Sequence, residues 1–163
     1  MLSKIAHWID RLSNWGAYLS ALILIAIIIL IVSNIILMSF FNSSIMITDE
    51  YSAYMFAAFT MFSLSYTLKE NAHIKITVLS SKLPEKAQRT LRLIVITVAF
   101  AMSVFATYNA AFMVYQAFVY KMRADTVAQT LLWIPQLVMP IGFFMLSLQL
   151  IGEFIKTAKG EKI

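Results

Sequence analysis

Few side chains in this sequence can do acid–base, nucleophilic or metal chemistry. Asp49–Glu50 is its one adjacent pair of acids, and it opens an uncharged apolar run. Such a pair can bind a cation. At the head of a helix, however, two carboxylates are explained more simply by the positive end of the helix dipole, with Thr48 or Asp49 as N-cap. The two histidines, His7 and His73, lie outside the apolar runs, which argues against paired imidazole ligands to a membrane haem. No cysteine is present, so disulfides, thiolate catalysis and cysteine-based zinc sites are excluded. HExxH, Walker-type and glycine-rich nucleotide signatures are absent as well. The sequence therefore predicts no catalytic residue, no cofactor and no metal site.

The elements that hold these residues are set by charge spacing. Of 163 residues, 61% are hydrophobic and 13% charged, with a mean hydropathy of +0.80; an ordinary soluble domain carries about 25% charged residues. Four stretches of 37, 18, 28 and 27 residues hold no Asp, Glu, Lys or Arg. About 20 apolar residues cross a ~30 Å hydrocarbon core. The expected fold is an all-α integral membrane protein, one domain over 1–163, with spans near 16–41, 50–68, 93–120 and 128–152. Two buried soluble hairpins would need a solvating charged face that this chain lacks.

Residues 1–15 read as an amphipathic interfacial helix. Leu2, Ile5, Trp8, Ile9, Leu12 and Trp15 fall on one face, and Lys4, His7, Asp10, Arg11 and Asn14 on the other. Residues 69–92 form a polar connection with six Lys or Arg, a second interfacial segment. Pro84 and Glu85 mark a helix start that runs into the third span. Asn34 is expected to bond a neighbouring helix, and Asn109 and Gln116 to be satisfied within a helix interface. Two small-residue patterns suggest close packing: Ala53 with Ala57, and Ala99, Ser103, Thr107 and Ala111. Pro135 and Pro140 are expected to kink the last span.

Lys and Arg count eleven in the N-terminus, the middle connection and the C-terminus, against two in the outer connections. That bias predicts cytoplasmic N- and C-termini. It also accounts for the net charge of +5 without nucleic acid. Asp49, Glu50, Lys121, Arg123 and Trp133 then lie at the outer surface, and His73 and Arg89 at the inner one. These seven are the candidate contacts with protein partners or phospholipid headgroups.

The order of features carries a resemblance. An acidic residue heads an aromatic-rich span; His73–Ile74, Leu83–Pro84 and Arg89 follow; then come Trp133 and Pro140-x-Gly142. This resembles the small, DctQ-type membrane subunit of tripartite ATP-independent periplasmic (TRAP) transporters. The resemblance implies a non-enzymatic accessory subunit of the bacterial inner membrane. Its partners would be a large, elevator-type multispanning subunit and a periplasmic substrate-binding protein that docks transiently. The implied transport is sodium-coupled import of organic acids, of the C4-dicarboxylate or sialic acid type. Composition alone also admits a stand-alone oligomeric transporter or channel, although no Asp, Glu, His, Lys or Arg lies within the apparent spans apart from Glu50 at the head of the second.

Overall fold

The computed structural model describes residues 2–70 and 84–159. Its helices are α1 (Leu2–Phe41), α2 (Thr48–Lys69), α3 (Glu85–Val119), α4 (Trp133–Gln136) and α5 (Val138–Lys159). Among the described residues there is no strand beyond a single bridge, Arg123 to Leu131. His73 and most of the expected second interfacial segment lie outside the described residues.

Three helices are long and apolar enough to cross a membrane, over His7–Phe41, Ala87–Val119 and Trp133–Ala158. The 22-residue α2 is long enough, at about 33 Å. It is not one of the three, because serines, threonines and tyrosines dilute its apolar content even between the terminal charges.

Helix α1 runs unbroken for 40 residues, about 60 Å. The amphipathic stretch and the apolar stretch are thus successive turns of one rod, with no joint at 15–16. Asn42, at φ 50°, ends it in the left-handed conformation that Asn tolerates. Asn34 bonds no neighbouring helix: its Oδ1 accepts the Ile45 backbone N–H at 2.8 Å, which ties down the turn into α2. Neither Thr48 nor Asp49 caps α2. Ile47 occupies the N-cap position without a side-chain bond, and the Thr48 hydroxyl donates back to the Ile45 carbonyl at 2.8 Å.

Pro84 precedes α3, and the helix continues directly into the apolar run, as expected. It ends in a Schellman arrangement: Met122 N–H donates to Ala117 and Lys121 N–H to Phe118, with Lys121 at φ 49°. Residues 122–132 then form a small hairpin, closed by Ala124 N–H to Thr130 at 2.9 Å and Leu132 N–H to Met122 at 3.0 Å. The last helical segment starts at Trp133, later than the expected 128. Pro135 and Pro140 each fall in a first helical turn, where a missing N–H is tolerated, and the helix breaks between them at Leu137.

The core sits around α5, which packs on α1, α2 and α3. Close approach is set by glycines. A Cβ on Gly16 would lie 2.8 Å from the Phe62 carbonyl oxygen, and one on Gly142 would lie 2.6 Å from the Met61 Cβ. These helices meet at the distances small residues permit. Ala57 is half-buried, but Ala53 is exposed, so the expected close-packing pair does not pack as a unit. On α3 the packed face is Ile96, Ser103, Ala110, Val114 and Ala117. It is rotated from the four-residue pattern that included Ala111, which is exposed.

Candidate functional site

Each end of the helical bundle has its own set of long-range contacts. At the terminal end, the start of α1 meets the end of α5. The Asp10 carboxylate accepts Lys156 Nζ at 2.9 Å and Gln149 Nε2 at 3.2 Å. Ser13, one turn on, donates to Gln149 Oε1 at 2.7 Å. Glu153, 2% exposed, sits between Arg92 at 3.1 Å and Lys156 at 3.3 Å. Lys69 at the end of α2 donates to Asn14 Oδ1 at 2.6 Å, and Arg89 donates to the Ala158 carbonyl oxygen. Two acids and two bases thus neutralise one another where α1, α3 and α5 converge. Breaking such a buried pair leaves an uncompensated charge, so the cluster holds the helices in one rotation.

At the opposite, hairpin end the contacts are fewer and mostly neutral. Glu50 accepts the Tyr54 hydroxyl at 2.9 Å and the Thr126 hydroxyl, which ties the head of α2 to the 122–132 hairpin. Trp133 packs edge-on against Phe118, with ring centroids 5.6 Å apart. Beside them lies an apolar groove of about 350 Å³ that runs down to Leu137 and Pro140. Its walls offer no Asp, Glu, His, Lys or Arg, and Tyr115 contributes a phenol.

Of the predicted contact residues, Asp49, Glu50, Lys121, Arg123 and Trp133 share the hairpin end, and Arg89 lies at the terminal end. Asp49, Lys121 and Arg123 are exposed. Among the described residues no three His, Asp or Glu side chains are placed to hold a metal ion.

The residues missed from sequence are Asp10, Ser13, Gln149, Glu153 and Lys156. Their spacing held the signal: 149, 153 and 156 lie on one helix face, as do 10 and 13. Between the two ends, Ser103 and Ser147 lie 2.8 Å apart and both reach the Phe143 carbonyl oxygen. Several polar groups inside the bundle are thus satisfied within it, whereas the buried hydroxyls of Ser65 and Thr157 have no hydrogen-bond partner among the described residues; α1 and α3 turn long apolar faces outward.

This architecture agrees with the comparisons. The DctQ component of tripartite ATP-independent periplasmic transporters matches residues 27–160. A TRAP transporter small permease protein of Haemophilus influenzae is 24% identical over 143 residues, covering 88% of this chain and 85% of that protein. A second small permease protein of the same organism is 35% identical over 94 residues, 58% of this chain and 56% of its own length. Family match, helical architecture and apolar exterior place the chain in a membrane, and it belongs to the DctQ family of TRAP transporter small membrane subunits.

Proposed function

We infer that this chain is the accessory, scaffolding subunit of a sodium-coupled TRAP transporter in a bacterial inner membrane. The transporter would import organic acids of the C4-dicarboxylate or sialic acid type, delivered by a periplasmic binding protein. The chain would bind the static part of an elevator-type large subunit and hold it at one depth while the transport domain moves. It would do no chemistry of its own.

One observation carries this reading. Two polar pairs within the bundle, Ser13 with Gln149 and Ser103 with Ser147, close on each other, and the outer faces of α1 and α3 are apolar. Substrate and ion pathways are normally marked by ionisable residues facing a cavity, whereas a support needs a rigid interior and a membrane-embedded surface. In this reading α2 is the fourth span. The terminal end faces the cytoplasm, as the Lys and Arg count directs, and Arg89 and His73 meet anionic headgroups there. Asp49, Lys121, Arg123 and the hairpin face the periplasm, where they contribute to docking the binding protein.

Co-expression with the large subunit tests the reading. The two chains are expected to co-purify in detergent, and vesicles holding this chain alone are expected to take up no substrate. Uptake by the chain alone, or failure to recover the large subunit with it, would contradict the proposal.

A further inference from the structure

The packed face of α3 accounts for only part of its pattern. On the side turned largely away from that face, Val98, Met102, Phe105, Asn109, Phe112 and Gln116 recur at alternating steps of four and three residues. That is the spacing of a left-handed helix–helix seam. None of these six is buried; Met102 and Phe105 are 68% and 70% exposed. The seam is about 27 Å long at 1.5 Å per residue, which nearly matches a ~30 Å hydrocarbon core.

Spacing alone does not decide what covers it. On α1, Leu22, Ile25, Ile29, Val32 and Ile36 follow the same rhythm and are equally exposed. The difference is chemical. The α1 face is wholly aliphatic, and lipid tails satisfy it. The α3 seam carries two amides seven residues apart, at equivalent positions. Asn109 Nδ2 donates to the Phe105 carbonyl at 2.8 Å. Its Oδ1 and the Gln116 amide find no side-chain partner among the described residues. The expectation that both amides are satisfied within a helix interface is thus not met among the described residues. Hydrocarbon offers them nothing, and in membranes such groups bond across helices.

We propose that the Val98–Gln116 seam of α3 is the surface that receives a membrane-crossing helix of the large subunit; the proposal rests on the scaffold reading above. The occupant presents small residues opposite Phe105 and Phe112, and hydrogen-bonding side chains opposite Asn109 and Gln116. A second copy of this chain fits less well. Close helix approach in membranes needs small residues. Here Gly16, Gly142, Ser103, Ala110 and Ala117 are already buried inside the chain's own bundle. Two copies would set bulky phenylalanines against their counterparts.

The test uses the co-expressed transporter in native membranes. The photocrosslinking amino acid p-benzoylphenylalanine replaces Phe105, Phe112, Leu22 or Ile29 one at a time. Adducts to the large subunit are expected from Phe105 and Phe112 at ten times or more the yield from Leu22 and Ile29. In parallel, Asn109→Leu with Gln116→Leu is expected to lower co-purification of the large subunit at least tenfold while membrane insertion is unchanged. If the unsubstituted chain recovers the large subunit but adducts arise chiefly from α1, the seam assignment alone falls. An adduct at twice this chain's mass from Phe105, or unchanged recovery with the double variant, overturns it too. If the unsubstituted chain recovers no large subunit, the scaffold reading falls and takes the seam with it.

Discussion

The two ends of the bundle are closed by different means. At the terminal end the contacts join residues far apart in sequence: Asp10 to Lys156, Asn14 to Lys69, Arg92 to Glu153. At the hairpin end, backbone bonds between near neighbours build the 122–132 turn, and one carboxylate, Glu50, pins it to α2. The first closure needs the helices already placed; the second forms locally and is then attached. Helix rotation should therefore depend strongly on the terminal end and weakly on the hairpin end.

Substitutions can break this comparison. Glu153→Ala leaves Arg92 and Lys156 facing a buried gap, at a cost of roughly 3 kcal/mol. The detergent unfolding midpoint should drop sharply, and Glu153→Gln should recover part of the loss. A wild-type midpoint for Glu153→Ala would mean that the charges do not set the helix rotation. Gly142→Ala should come next, at ~1–3 kcal/mol from overpacking against Met61. Gly152→Ala is its control, because a Cβ there meets Ile9 at an ordinary 3.5 Å; equal effects would argue against close approach at Met61. Ser13→Ala removes the donor to the fully buried Gln149 and should cost about 1 kcal/mol. Proteolysis of the α1 N-terminal half in detergent reports it. The smallest effect is expected at the hairpin end. Glu50→Gln keeps the shape and the bond from Tyr54, so the midpoint should scarcely move. A loss as large as that of Glu153→Ala would show that the two ends are equally important.

Much of the fold was legible because it depends on sums along the chain. Charge-free runs located the apolar helices, and Pro84 marked the start of α3 to the residue. The placement of Asp49, Glu50, Lys121 and Arg123 at one end also followed, because short connections keep the ends of consecutive helices together. Rotation about each helix axis was less legible. Asp10 and Asn14 looked like the solvated face of an interfacial helix, yet both turn inward to a lysine. Trp8 and Trp15, expected on the same face as Ile9, stay exposed while Ile9 is buried. A 100° step identifies residues that share a face but not which face meets protein, since in a membrane both faces are apolar. Of the two glycines that set interhelical distances, Gly142 stood in the Pro140-x-Gly142 motif with no packing role attached, and Gly16 carried no signal.

The sequence by itself determined the class of molecule, the positions of its long apolar helices, the asymmetry of its basic residues and its family. Each of these follows from composition, spacing or ordered motifs, all additive along a chain. Only the tertiary structure decided which polar residues are structural and which are left over. Asp10 and Lys156, 146 residues apart, are partners because two helices cross at one depth and one rotation. By the same rotation, Asn109 and Gln116 are left facing outward. Local sequence does not encode that angle; it is set by close packing of glycine against backbone and by the cost of leaving a buried charge unpaired.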